Sequence, residues 1–76
     1  MCLAIPAIIE SIDEGQNARV SVLGVTREVA LDLVPQAQVG DYVLVHAGYA
    51  IEIIDEVIAQ ETLDLIAEFP EMAEGF

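Results

Sequence analysis

The sequence predicts a mainly β domain, a small closed barrel of about five strands followed by a C-terminal helix. Three observations lead there. Short segments rich in valine and isoleucine recur between Leu3 and Ile54, and several alternate polar and apolar residues as half-buried strands do. Turn residues punctuate these segments at short intervals. From Asp55 onward the apolar period changes from that of a strand to that of a helix. The 76 residues make a single domain: barrel over 3–54, helix over 55–69 and tail over 70–76.

The first segment, Leu3 to Ile12, is apolar and β-branched at Ile5, Ile8, Ile9 and Ile12. Pro6 lacks a backbone donor, so the strand should start there or lie at an edge there. Asp13-Glu14-Gly15-Gln16-Asn17 is a turn, with Gly15 expected to take the positive φ. Ala18 to Val22 alternates, Leu23-Gly24-Val25 reverses the chain, and Thr26 to Leu33 alternates again with Val29, Leu31 and Leu33 on one face. Together they read as a hairpin. Val34 to Gln38 is a loop, and Val39-Gly40-Asp41 turns into a strand from Tyr42 to Ala47 that is apolar on both faces. Gly48 interrupts that strand at a bulge or bend, and Tyr49 to Ile54 resumes it.

Asp55 is the expected N-cap of the helix, and Glu56 suits the positive end of its dipole. Ile58, Thr62, Leu65, Ile66 and Phe69 form one helical stripe, and Pro70 stops the helix. Closing five short strands removes vulnerable edges, so an OB-like barrel is the expected architecture. An open antiparallel sheet capped by the helix is the alternative.

Composition narrows function. Fourteen acidic residues stand against two arginines and no lysine, a net charge of −12. Such a chain is unsuited to nucleic acid, where phosphate neutralisation dominates affinity, and to anionic membrane surfaces. It would be steered towards a basic patch on a partner. No run approaches the roughly 20 apolar residues of a membrane span, and no basic stretch precedes an apolar one as in a secretory signal. A single cysteine forms no internal disulfide, which agrees with a reducing cytoplasm.

Two residues carry the distinctive chemistry. Cys2 is the only cysteine and directly follows Met1. Aminopeptidase removal of Met1 would place an amine and a thiol on one terminal residue. The neighbouring ammonium favours the thiolate, the nucleophile and soft-metal ligand. A free cysteine is ordinarily a small buried hydrophobe, but termini are poor places for core filling. His46 is the only histidine, and Ala47-Gly48 after it leaves the imidazole accessible. A thiolate and an imidazole suit iron, zinc or copper. Two ligands are too few for a resident structural site, since zinc alone takes four. Hence a partner completes the coordination, or there is no metal. The alternatives are a thiol-dependent enzyme, with Cys2 as nucleophile and His46 as base, and a barrel that acts only through protein contacts. Arg19 and Arg27 are expected to pair with acidic neighbours across their hairpin, and Tyr49 to pack.

Met1-Cys2-Leu3-Ala4-Ile5-Pro6 and the block from Val39 to Ala50, followed by Ile54-Asp55-Glu56, resemble the HypC/HupF family. Its members are non-enzymatic accessory chaperones in nickel–iron hydrogenase maturation. The resemblance covers nearly the whole chain, and its two motifs, M-C-x-x-x-P and V-G-D-Y-V-L-V-H-x-G-[FY]-A, are specific together. It implies an OB-like barrel with a C-terminal helix. It implies that Cys2, exposed by processing, is needed for complexes with the scaffold HypD and with the precursor of the hydrogenase large subunit. It implies that Cys2 and His46 hold an iron fragment carrying cyanide and carbon monoxide, a transient cargo completed by partner ligands. Partner contacts are then expected at Cys2, Leu3, Ile5, Pro6, His46, Gly48 and Tyr49. The chain departs from many members at Ala4 and Ala7, where they have glycine, and in its short loop from Val34 to Val39.

Overall fold

The structure is a computed structural model and describes residues 4–68. Its strands are β1 (Ile5–Ile12), β2 (Asn17–Val22), β3 (Val25–Ala30), β4 (Tyr42–His46) and β5 (Tyr49–Ile54), followed by helix α1 (Glu56–Ile66). They form a closed barrel in the order β1-β2-β3-β5-β4, with β4 returning to β1. The open-sheet alternative is therefore set aside. Every neighbouring pair is antiparallel except β3 and β5, which touch in parallel at Ala30 and Tyr49.

Alternation in the sequence becomes inside and outside in the barrel. Ile5, Ala7, Ile9, Ala18, Val20, Val22, Val29, Val43, Val45 and Ala50 all point into one core. Full burial of side chains such as Ile9, Val20 or Val43 stabilises the fold by about 1.5–3 kcal/mol each. Small Ala7, Ala18 and Ala50 leave room for the branched side chains opposite them. Pro6 is paired with Leu44 of β4, whereas pairing with β2 starts only at Ile8. The missing donor thus falls where β1 is locally an edge, as expected.

Several turns differ from expectation. In the β1–β2 turn the positive φ belongs to Gln16, at 65°, not to Gly15. The Asp13 carboxylate accepts from the N–H groups of Gly15 at 2.8 Å and Asn17 at 3.0 Å. That Asx-type bracket places the left-handed residue one position later. The strand expected to reach Leu33 stops at Ala30, and Leu33 is exposed. The Leu31 N–H is drawn to the Gln16 carbonyl at 2.8 Å, and the chain then winds through turns. Val34 and Ala37 in those turns are buried and pack into the core. Gly48 marks neither a bulge nor a bend but a complete reversal: Ala47 and Gly48 alone join β4 to β5. The bulge lies instead at Leu44/Val45, opposite Ala50 and Glu52.

Asp55 caps α1 as expected, accepting from the Val57 N–H at 2.7 Å. The buried stripe is Ala59, Leu63 and Ile66. Of the expected stripe only Ile66 is buried; Ile58 and Leu65 are 57% and 62% exposed, and Phe69 lies outside the described residues. Positions 59, 63 and 66 share the spacing i, i+4, i+7, so they satisfy the helical period equally well. Contact with the barrel, chiefly with β1, selects this face. The Gln60 amide donates to the Tyr42 hydroxyl at 3.0 Å and ties the helix to β4. The expected tail lies outside the described residues. No helix among the described residues is long and apolar enough to cross a membrane.

Candidate functional site

The site is built at one end of the barrel, where β1 begins and β4 ends. Ile5 pairs with Val45, so the chain comes into β1 beside His46, the last residue of β4. His46 in turn pairs with Tyr49 across the Ala47–Gly48 turn. Both turn residues have positive φ, 53° and 85°. Two such residues make a type I′ turn, whose twist matches that of the flanking strands. The Gly48 carbonyl accepts from the Ala30 N–H at 2.9 Å. The turn beside His46 therefore also closes the barrel between β3 and β5.

The imidazole is half-buried on this rim, and Tyr49 beside it is 48% exposed. Among the described residues His46 has no hydrogen-bond partner for its side chain. Its ring nitrogens remain available to an incoming group. Ala47 and Gly48 follow His46 in the turn, and Ala4 precedes Ile5, the partner of Val45. A Cβ built on Gly48 would meet no atom within 4 Å, so the glycine is needed for its φ and not for space. Behind the rim, Val43, Val45 and Ala50 are fully buried and hold the strand ends still.

Of the residues expected to form the site, His46, Gly48 and Tyr49 come together at this rim. Ile5 and Pro6 lie at the start of β1, but their side chains are buried. They pair the start of β1 with β4, and the Ile5 side chain is turned into the barrel. Cys2 and Leu3 lie outside the described residues. Among the described residues no cluster of three or more histidine, cysteine, aspartate or glutamate side chains could hold a metal ion. Sequence reasoning missed Ala47, whose left-handed backbone sets the turn. The signal was an Ala-Gly pair between two β-rich runs, which fits a two-residue hairpin as well as a bulge.

Arg19 faces Glu28 across the β2–β3 ladder, as expected for the hairpin. Both line a shallow polar cleft of about 180 Å³ with Ser11, Asp13 and Asn17, at the opposite end of β1 from His46. Arg27 donates to the neighbouring Thr26 carbonyl at 2.9 Å.

Comparison with known proteins agrees with the two motifs. The model of the HupF/HypC family matches residues 1–66, a span that holds Cys2, the barrel, His46 and the helix. A protein of Azotobacter chroococcum called hydrogenase maturation factor HypC is 40% identical over 75 residues, covering 99% of this chain and 89% of that protein. A protein of the same name from a Synechocystis species is 44% identical over 73 residues, covering 90% and 96%. The Escherichia coli K12 protein of that name is 43% identical over 72 residues, covering 87% and 79%. This chain therefore belongs to the HupF/HypC family.

Proposed function

We propose that this protein is a hydrogenase maturation chaperone. In this reading it binds a HypD-type scaffold and the precursor of a nickel–iron hydrogenase large subunit. Between them it helps to carry the iron fragment bearing cyanide and carbon monoxide. The observation that carries the reading is the family match over residues 1–66, which includes both residues of distinctive chemistry, Cys2 and His46.

The chemistry of the donor set supports a carrier. Iron is the cargo here, not a resident cofactor. An imidazole with no partner among the described residues, on a rim of small residues, can accept a metal without breaking existing bonds. The pairing of Ile5 with Val45 brings the start of β1 to the same end of the barrel, and Cys2 precedes Ile5 by three residues in the chain. Removal of Met1 would make Cys2 the terminal residue and favour its thiolate. A thiolate and an imidazole leave coordination positions for partner ligands, so the fragment can be passed on. A complete four-ligand site would hold metal far more tightly. The protein works by binding and transfer and needs no catalytic residue of its own.

The test is co-purification from cells that contain all the maturation factors, with infrared spectroscopy of the cyanide and carbonyl stretches. Cys2→Ala is expected to leave the barrel folded and to abolish the iron-loaded complex. His46→Ala is expected to weaken the infrared bands while partner capture changes less. Normal hydrogenase maturation with Cys2→Ala would refute the carrier role, and equal loss of bands and partner capture with His46→Ala would remove His46 as a ligand.

A further inference from the structure

Helix α1 carries two apolar stripes, and the barrel uses one of them. Ala59, Leu63 and Ile66 are buried. Ile58, Thr62 and Leu65 repeat the same spacing one residue earlier, so their stripe lies about a quarter turn round the helix. Ile58 and Leu65 are more than half exposed there, and so is Val57 in the first turn. The Thr62 hydroxyl donates to the Ile58 carbonyl at 3.0 Å, so the polar group in the middle of the stripe is spent on the helix backbone. Size is distributed against burial on this helix: small Ala59 is inside, and three larger aliphatics face water. Single exposed aliphatics are ordinary, whereas several gathered on one short helix mark a contact surface.

We propose that the outer stripe of α1, Ile58–Thr62–Leu65, is a docking surface for an amphipathic helix of a partner protein, one whose aliphatic stripe is flanked by lysine or arginine. The proposal does not depend on the iron-carrier reading. Charge selects the occupant. Residues 56–68 carry Glu56, Glu61, Asp64 and Glu68 and no basic residue, and all four carboxylates are on exposed residues. Glu61 and Glu68 each follow an aliphatic of the stripe by three residues. They therefore border the stripe on the side turned away from the barrel. Cationic side chains flanking a partner's apolar stripe meet attraction along this border.

The helix dipole adds to this preference. Asp64 lies in the last turn of α1, which has no basic residue, and Glu68 directly follows the C-cap Ala67. The C-terminal end of a helix favours cations. Two carboxylates there are a local conflict in the free protein, and a partner's cationic side chains relieve it. The attraction is therefore concentrated at the Leu65–Glu68 end of the stripe. A second copy of this chain fits poorly, because its own α1 brings four further carboxylates and no cation to the contact. An anionic membrane surface is repelled for the same reason.

The probe is a capped peptide of two heptads, with leucine at the two seam positions of each and lysine elsewhere. It is added to the full-length protein, labelled with 15N and at its methyl groups. One counterpart replaces every lysine by glutamate, and the other replaces every leucine by serine. The leucine–lysine peptide is expected to shift the Ile58 and Leu65 methyls and the amides from Thr62 to Glu68 saturably. The serine peptide should bind about tenfold more weakly, as expected when an aliphatic contact is lost, and the glutamate peptide should not bind. Ile58→Ser combined with Leu65→Ser should weaken the leucine–lysine peptide by a similar factor at an unchanged circular dichroism spectrum, because both side chains are exposed. Glu68→Lys should weaken it too and raise the melting temperature, since a cation then replaces an anion at the helix C-terminus. Should the double variant unfold, the leucine and serine peptides decide alone. Equal affinity for those two peptides would reduce the effect to general attraction by a net charge of −12 and overturn the proposal. Shifts confined to other elements, concentration-dependent shifts without peptide, or contacts of the Ile58 and Leu65 methyls with residues 69–76 in the free protein would overturn it as well.

Discussion

The barrel interior and the rim around His46 are made from opposite materials. Inside, Ile9, Val20, Val43 and Val45 are at most 1% exposed, and each is fixed by neighbours on several strands. At the rim, Ala4, His46, Ala47, Gly48 and Tyr49 are half-buried or exposed, and the imidazole makes no bond among the described residues. The two regions share strands: β4 places Val45 in the core and His46, one residue later, on the rim. The difference separates what holds the molecule together from what is left available for chemistry. The rim is positioned by the core, and its turn closes the barrel through the Gly48 carbonyl.

Mutations at the two regions should therefore differ in size and in kind. The largest effect is expected inside. Ile9→Ala should destabilise the barrel by about 2–4 kcal/mol, from lost burial and the cavity left behind. Chemical denaturation should show the loss as a lower midpoint at an unchanged slope. At the junction of core and rim, Gly48→Ala should cost about 1–2 kcal/mol, because φ is +85° there and its carbonyl closes the barrel on Ala30. The smallest effect belongs to the rim itself. His46→Ala should change stability by less than about 0.5 kcal/mol, as for a surface substitution that breaks no bond. A loss of 2 kcal/mol or more at His46, by the same denaturation, would mean that the histidine is structural and would erase the contrast.

Much of the fold was legible because the barrel depends on local alternation. Val20 and Val22, then Val29, Leu31 and Leu33, then Val43 and Val45 put larger apolar residues at every second position of the runs that became β2, β3 and β4. Asp55 was readable as a cap because the capping bond is local, from its carboxylate to the Val57 N–H. The stripe on α1 was not readable, because Ile58–Thr62–Leu65 and Ala59–Leu63–Ile66 obey the same period. Small Ala59 is fully buried, whereas larger Ile58 is exposed, the reverse of a choice made on hydrophobicity alone. The end of β3 was missed for a similar reason. Alternation continues to Leu33, but the Leu31 N–H is taken by Gln16, distant in sequence.

At the site, single occurrence singled out Cys2 and His46, but nothing local said that the start of β1 would lie beside the end of β4. That juxtaposition belongs to the register of Ile5 with Val45, 40 positions apart.

By itself the sequence determined which residues alternate, where the helix is capped, and that the chain has one thiol and one imidazole. Those properties follow from side-chain chemistry and from contacts within a few residues. Only the tertiary structure decided which helix face is buried, that Ala47 and Gly48 reverse the chain, and that β3 meets β5 in parallel at Ala30 and Tyr49. These are outcomes of barrel closure, in which distant strands compete for the same backbone groups and the same interior volume.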